Sequence, residues 1–380
     1  MKIAIITESF PPDVNGVAHC VLRVAEYLVR RGHSPMVIAP RPAGAQPSPD
    51  SSLPYPVVRV PSLPMPGYRS FRIAAPGPPR MRAALTAHGT EVVHLASPFV
   101  LGGSGAAVAA RLGLPMIAVY QTDLPSYARA YRLGPAGQAA AWRRLQQIHN
   151  AVGRTLAPST ASAANLHEHG IERVWLWGRG VDTVRFDPAK RSERLRAELA
   201  PGGEVLAGYV GRLAPEKRVE LLAQVADLPG VRLVVVGSGP AEFAARRAMP
   251  AAVFVGQQHG EELARTYASL DLFVHSGPHE TFGQTLQEAA ASGLPVVAPA
   301  AGGPVDLVGD GVTGFLVSPG DPAALAGAVA RLAADPALRA AQGRAGRQRV
   351  LGRSWQALGD ELIGHYEAVL RIASAVEVPA

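Results

Sequence analysis

At roughly 150 residues per domain, the 380 residues point to two domains, and 48% apolar content is ample for two packed cores. Disorder, collagen and a disulfide-stapled scaffold are thereby excluded. Only 18% of residues are charged, yet 37 Lys and Arg against 30 Asp and Glu leave a net charge of +7, and Lys occurs only at Lys2, Lys190 and Lys217. The excess is almost all guanidinium, which suits phosphate, carboxylate or anionic headgroups; an ordinary basic surface accounts for the same numbers.

The first apolar run, Lys2–Thr7, is short and is broken by Glu8, unlike a signal-peptide core. No later run reaches about 18 apolar residues, so the expectation is a soluble, cytoplasmic chain, with peripheral contact at the inner face of a membrane left open. Val17, Val21, Val24 and Leu28 mark the buried stripe of a helix that stops near Gly32. Cys20 shares that spacing and reads as a core residue; as the single cysteine it excludes an intramolecular disulfide.

Runs rich in Val, Ile and Leu at Pro35–Ala39, Val57–Val60, Val92–Ala96, Pro115–Tyr120, Thr155–Pro158 and Arg173–Leu176 predict the other strands of the first half. The Pro-, Gly- and Ser-rich stretch Pro40–Pro79 reads mostly as an irregular excursion. Gly178–Pro188, a Gly/Asp/Pro segment, suits a connection between domains, with the boundary near residue 185. In the second half, strands are predicted at Val205–Val210, Arg232–Val236, Val253–Val255, Leu272–His275, Val296–Ala298 and Gly314–Val317, and amphipathic helices at Ala323–Leu332 and Trp355–Ile372. Strands alternating with helical segments make the chain α/β, with two doubly wound, Rossmann-like domains over 1–185 and 186–354.

The most informative stretch is His279-Glu280-Thr281-Phe282-Gly283-Gln284-Thr285-Leu286-Gln287-Glu288, which follows a predicted strand and opens a helix near Gly283. Such a start offers backbone N–H groups around Gly283, Gln284 and Thr285 to an anion, with the positive end of the helix dipole behind them. Glu288, on the face of Gln284 and leaning toward the helix start, can accept hydrogen bonds from a ribose diol, while Glu280 faces the other end of a ligand. A solvated loop acid and a helix-surface acid give the same spacing. Gly208-Tyr209-Val210-Gly211-Arg212-Leu213-Ala214-Pro215-Glu216-Lys217 puts two cations beyond the carboxyl end of a strand, where open α/β sheets bind ligands and where a pyrophosphate could be neutralised without a metal. A surface Arg and Lys near a turn are the plainer account. The chain has no Asp-x-Asp, and among its eleven His neither a catalytic array nor metal-ligand spacing emerges; His167 and His169 read as a solvated helix face.

Glu280-x₇-Glu288, Gly211-Arg212-Leu213 with Glu216-Lys217, Gly302-Gly303, Asp310–Val317 and the loop Pro11–Val17 together resemble the retaining glycosyltransferases of family four, most closely in motif the actinobacterial mannosyltransferase-like members. The resemblance implies the GT-B fold, two domains facing across a cleft, with the acceptor on the first, the donor on the second, and a last helix, 355–380, crossing back to the first. It implies that Arg212 and Lys217 hold the diphosphate, Glu288 the ribose and Glu280 the sugar near the reacting carbon, with Phe282, Gly283, Gln284 and Thr285 positioning sugar and phosphate. Gly16 would let its loop approach the phosphate, and Gly256 would lie against the base. Gly237-Ser238-Gly239-Pro240 is a strand-end turn near the same cleft or a purely structural one.

In the first domain Asp13, Gln121 and Asp123 would line the acceptor and sugar pocket. Many relatives have His where this chain has Gln121, and Gln carries no proton at neutral pH, so it can only hydrogen bond or shape the pocket. Asp123 serves equally as an N-cap to a helix over Leu124–Tyr131.

The resemblance thus implies a metal-independent, retaining hexosyltransferase using no cofactor, with GDP-mannose the favoured donor, an acceptor that is a lipid or a small molecule, and no nucleic-acid partner. The alternatives are a UDP-sugar transferase acting on a soluble acceptor and an inactive sugar-nucleotide-binding module. Arg129, Arg132, Trp142, Arg143, Arg144 and Leu145 could present a basic, partly apolar face to lipid, or simply pack.

Overall fold

The computed structural model describes residues 1–13, 15–42, 49–65, 68–74, 77–96, 98–125 and 134–376, and the chain divides into two compact units, Met1–Arg179 with the chain from Trp355 onward, and Gly180–Ser354. Val14, Arg129, Arg132 and most of the helix expected over Leu124–Tyr131 lie outside the described residues.

The strands of the first unit are β1 (Lys2–Ile6), β2 (Ser34–Pro40), β3 (Val57–Val60), β4 (Leu63–Met65), β5 (Tyr68–Ile73), β6 (Val92–Leu95), β7 (Met116–Val119), β8 (Arg154–Ala157) and β9 (Val174–Leu176). Seven of them form a parallel sheet in the order β3-β2-β1-β6-β7-β8-β9. Alternate residues of β1 enter two cores, Ile3 and Ile5 on one face and Ala4 and Ile6 on the other, which is why the strand reads as one apolar run. Each fully buried Ile contributes about 1.5–3 kcal/mol.

The second unit holds β10 (Val205–Val210), β11 (Val231–Val236), β12 (Val253–Gly256), β13 (Leu272–Val274), β14 (Val296–Pro299) and β15 (Gly314–Val317), all parallel, in the order β12-β11-β10-β13-β14-β15. Each sheet reverses its strand order once, between β1 and β6 in the first and between β10 and β13 in the second. Outside the carboxyl ends of such strand pairs, loops run in opposite directions and open a crevice suited to a ligand.

The helix Gly16–Arg30 starts at Asn15, whose side chain accepts from the Val17 and Ala18 amides, and it buries Cys20, Val21, Val24 and Leu28 as its spacing predicts. The last helix, Trp355–Val376, packs in the first unit. Tyr27 Oη donates to Asp360 Oδ1 at 2.7 Å, Trp177 Nε1 donates to the Leu358 carbonyl at 2.9 Å, and the buried His94 and Tyr366 lie 2.7 Å apart.

Three expectations are corrected. The division falls after Arg179, ahead of residue 185, because Val181 donates to the Arg353 carbonyl, bridges Ser354 and packs with Phe186 in a core of the second unit. The excursion after Pro40 is partly regular beyond the expected strand β3: β4 and β5 form a separate antiparallel pair. His169 is not on a solvated face, since its ring stacks on Trp142 with centroids 3.5 Å apart.

Candidate functional site

The second unit gathers most of the expected residues at its switch point. Past the end of β10, Gly211–Leu213 runs alongside the loop after β11, and a 3₁₀ turn, Pro215–Lys217, brings Lys217 back over the strand ends. Past the end of β13 comes the loop that carries Glu280. Lys217 Nζ donates to Glu280 Oε1, and Arg212 Nη2 donates to Glu216 Oε1, so each cation is salt-bridged to a carboxylate. The Glu216 side chain is only 3% exposed, so Arg212, itself 35% exposed, is the partner of a buried acid.

Close backbone packing fixes both loops. A Cβ on Gly302 would stand 2.3 Å from the Glu280 carbonyl oxygen and one on Gly303 2.0 Å from that of Phe282, while Gly303 N–H donates to the Glu280 carbonyl at 2.7 Å. On the other side, a Cβ on Gly237 would stand 2.0 Å from the Gly211 carbonyl oxygen. The turn at Gly237–Gly239 is therefore a clamp on the Arg212 loop.

Glu288 lies on the helix Gln284–Ala291, where Tyr267 Oη donates to its Oε2 at 3.2 Å. Desolvation pushes its pKa up to about 7, against the hydrogen bonds of Tyr267 and Gln284 and the charge of Arg185. Phe282 is buried and anchors the helix start, and Gln284 Nε2 donates to the Gly180 carbonyl at 3.2 Å. Thr285 lends its carbonyl to Tyr267 Oη at 3.2 Å, and Gly256 ends β12, where its carbonyl accepts from Gly237 N–H at 2.7 Å. Arg212, Lys217, Gly256, Glu280, Phe282, Gly283, Gln284, Thr285 and Glu288 thus share one sheet edge.

Asp13, Gly16, Gln121 and Asp123 belong to the first unit and lie beyond the carboxyl ends of its own strands. Asp13 accepts from Ser9 Oγ at 2.7 Å, and Asn15 Nδ2 donates to the same oxygen at 2.8 Å, knitting the loop after β1. Gln121 is buried and donates to the Ala96 carbonyl, while burial, reinforced by Asp123, raises the Tyr120 phenol well above its usual range.

Sequence reasoning missed three neighbours. Tyr267 holds Glu288. Arg179 holds Gln121, donating from Nη2 to Oε1 at 3.2 Å. His275 is buried with Nε2 at 3.7 Å from Glu280 Oε1, and desolvation lowers its pKa to about 4, so it is neutral at pH 7. The available signal for His275 was its place at the end of a predicted strand, five residues before Glu280. Among the described residues, no three His, Cys, Asp or Glu side chains cluster as metal ligands and no helix is long and apolar enough to cross a membrane.

The Glycosyltransferase Family 4 model matches residues 14–185, and the Glycosyl transferases group 1 model matches residues 190–349. A GDP-mannose-dependent alpha-mannosyltransferase of Mycolicibacterium smegmatis is 48% identical over 372 residues, spanning 97% of this chain and 98% of its own. The protein of the same name in Corynebacterium glutamicum is 43% identical over 377 residues, spanning 99% and 91%. Among solved structures, sucrose-phosphate synthase from Thermosynechococcus elongatus superposes with a TM-score of 0.80 at 23% identity, covering 98% of this chain and 99% of that one. Anabaena HepE with UDP and glucose gives 0.78 at 21%, covering 97% and 100%. The superpositions on these structures carry the fold, GT-B with two Rossmann-like units, and the near-full-length relatives carry the family. The chain belongs to the family 4 glycosyltransferases and is an enzyme of that family.

Proposed function

We propose that the chain transfers mannose from GDP-mannose to an acceptor hydroxyl, with retention at the anomeric carbon and without a metal ion. The donor choice rests on the relatives named above, 48% identical across nearly their whole length. The chemistry rests on one observation, that Arg212 and Lys217 are salt-bridged to carboxylates beside the start of the helix that carries Glu288.

Glu216 and Glu280 balance the two cations. An entering diphosphate brings one negative charge on each of its two phosphates, and Lys217 exchanges Glu280 for phosphate oxygen. Glu280, released, can accept from the sugar's hydroxyls. Glu288 receives the ribose diol, and Gly256 approaches the base.

The bond from the anomeric carbon to the phosphate oxygen then breaks, and the acceptor oxygen bonds that carbon on the same face. The acceptor's proton passes to the departing phosphate oxygen, so charge balances without a protein nucleophile. Arg212, Lys217 and the backbone N–H groups at Gly283–Thr285 stabilise the charge that builds on the diphosphate. Asp13, Gln121 and Asp123 serve the sugar and the acceptor, which is a lipid or a small molecule.

The test incubates the chain with GDP-mannose and an alkyl mannoside in the presence of EDTA and reads the product's anomeric configuration by NMR. An α-linked product formed with EDTA present supports the proposal. A β-linked product, or activity that returns only on adding a divalent cation, refutes it.

A further inference from the structure

Beyond the carboxyl edge of the first sheet, residues from distant parts of the chain converge on one guanidinium. Arg179 follows the edge strand β9, and its side chain returns to the switch point, where it is buried. Its Nη2 donates to Gln121 Oε1 at 3.2 Å, and Gln121 Nε2 donates to the Ala96 carbonyl at 2.5 Å. These two bonds fix the carboxamide's orientation, because only its nitrogen can serve a carbonyl and only its oxygen can serve a guanidinium.

Gly16 supplies the room. A Cβ there would stand 2.8 Å from Arg179 Nη1, so any larger residue pushes the guanidinium aside while leaving backbone contacts alone. The buried Cys20 thiol, one helical turn on, feels the same positive charge, although burial dominates its own titration. Burying a guanidinium is costly, and an apolar side chain would fill this place at lower cost if packing were its whole purpose.

We propose that Arg179 is a positioning residue of the transfer: seated in the space left by Gly16, it holds the Gln121 carboxamide in the single orientation that meets the donor sugar's hydroxyls correctly. This rests on the reading of Gln121 as a sugar contact. Without Arg179 the carboxamide oxygen loses the guanidinium that holds it, and the side chain pivots about its bond to the Ala96 carbonyl. The sugar is then misplaced, while the nucleotide contacts in the second unit stay as they were. The loss falls on turnover and not on donor affinity.

The test compares wild type with Gly16→Ala, Arg179→Ala, Gln121→Ala and the paired variants, reading kcat with GDP-mannose, donor Kd by calorimetry, and melting temperature as a check on folding. Each single substitution is expected to lower kcat by about 10–100-fold with donor Kd changed by no more than about twofold, and the doubles to fall no further than the deeper single. Arg179→Lys, which keeps a donor for Gln121 Oε1, is expected to recover part of the lost turnover. Losses that multiply in Gly16→Ala/Arg179→Ala, or a donor Kd that weakens as much as kcat falls, overturn the proposal. A wild-type chain that turns over no GDP-mannose overturns the functional reading instead.

Discussion

The two switch points are built on the same sheet geometry and dressed in opposite ways. At the edge of the second sheet, cations and carboxylates stand in pairs: Arg212 with Glu216 and Lys217 with Glu280. At the edge of the first, a carboxamide, a seryl hydroxyl and an asparagine share hydrogen bonds with one another, the Ala96 carbonyl, a guanidinium and Asp13. The difference suits a division of labour. The Lys217–Glu280 pair can be exchanged for a diphosphate at small net cost, whereas fixed polar groups discriminate among sugar hydroxyls that carry no charge.

The sharpest way to break that contrast is to remove the exchangeable charges. Arg212→Ala and Lys217→Ala are each expected to lower kcat by about 10²-fold or more in steady-state transfer assays, since each acts where charge develops. Unchanged kinetics in both variants would strip the second unit of its assigned role. A smaller effect concerns Glu288, whose carboxyl ionises only near pH 7. A ribose diol is a better donor to a carboxylate than to a carboxylic acid, so donor KM falls as pH rises through about 7. In Glu288→Gln this dependence vanishes and KM stays about 10-fold high, as expected for loss of a hydrogen bond to a charged group; a KM profile identical to wild type refutes the ribose contact.

The loop clamp gives a structural test. Gly303→Ala forces a Cβ against the Phe282 carbonyl and is expected to cost about 1–3 kcal/mol of stability, seen as a lower melting temperature, together with lost turnover as Glu280 shifts. A variant that melts as wild type does would contradict the close approach.

The mildest effect is on stability against pH. His94, His149, His275 and His365 have pKa values lowered to about 3, 4, 4 and 4, so the stability they contribute is full above about 6.5 and is lost as pH falls toward 4. Glu8 and Glu288, raised from 4.5 to about 7, act oppositely: their contribution is full below about 4.5 and is lost as pH rises through 7. Four groups outweigh two, so the melting temperature is expected to drop modestly from pH 7.5 to 5, and Glu8→Gln is expected to steepen the drop. A melting temperature that rises on acidification would reverse the assignment.

Much of the fold was legible because strands buried on both faces leave unbroken apolar runs: Val205–Val210 and Val296–Ala298 fall in strands where expected. The hairpin of β4 and β5 was not. Its residues give no clean alternation, and Arg72 reaches back to Ser62, donating to its hydroxyl and its carbonyl at 2.7 Å. The segment after Gly178 looked like a linker by composition, yet Val181 is pinned by Arg353, a contact no local pattern reveals. In the site, Glu280, Glu288, Arg212 and Lys217 stood out because each lies beside a strand end or helix start. Arg179, Tyr267 and His275 did not. Arg179 meets Gln121 across 58 residues and Tyr267 meets Glu288 across 21, so only the folded sheet brings them together. Gly16 was expected to make room for a phosphate, and the nearest group to its missing Cβ is the Arg179 guanidinium.

A crystal structure of the chain with GDP would test the exchange of partners most directly. The account predicts Arg212 and Lys217 against the diphosphate, with Lys217 drawn off Glu280 and Glu288 on the ribose hydroxyls. Bound GDP with Lys217 still on Glu280 and both cations turned from the phosphates would contradict it.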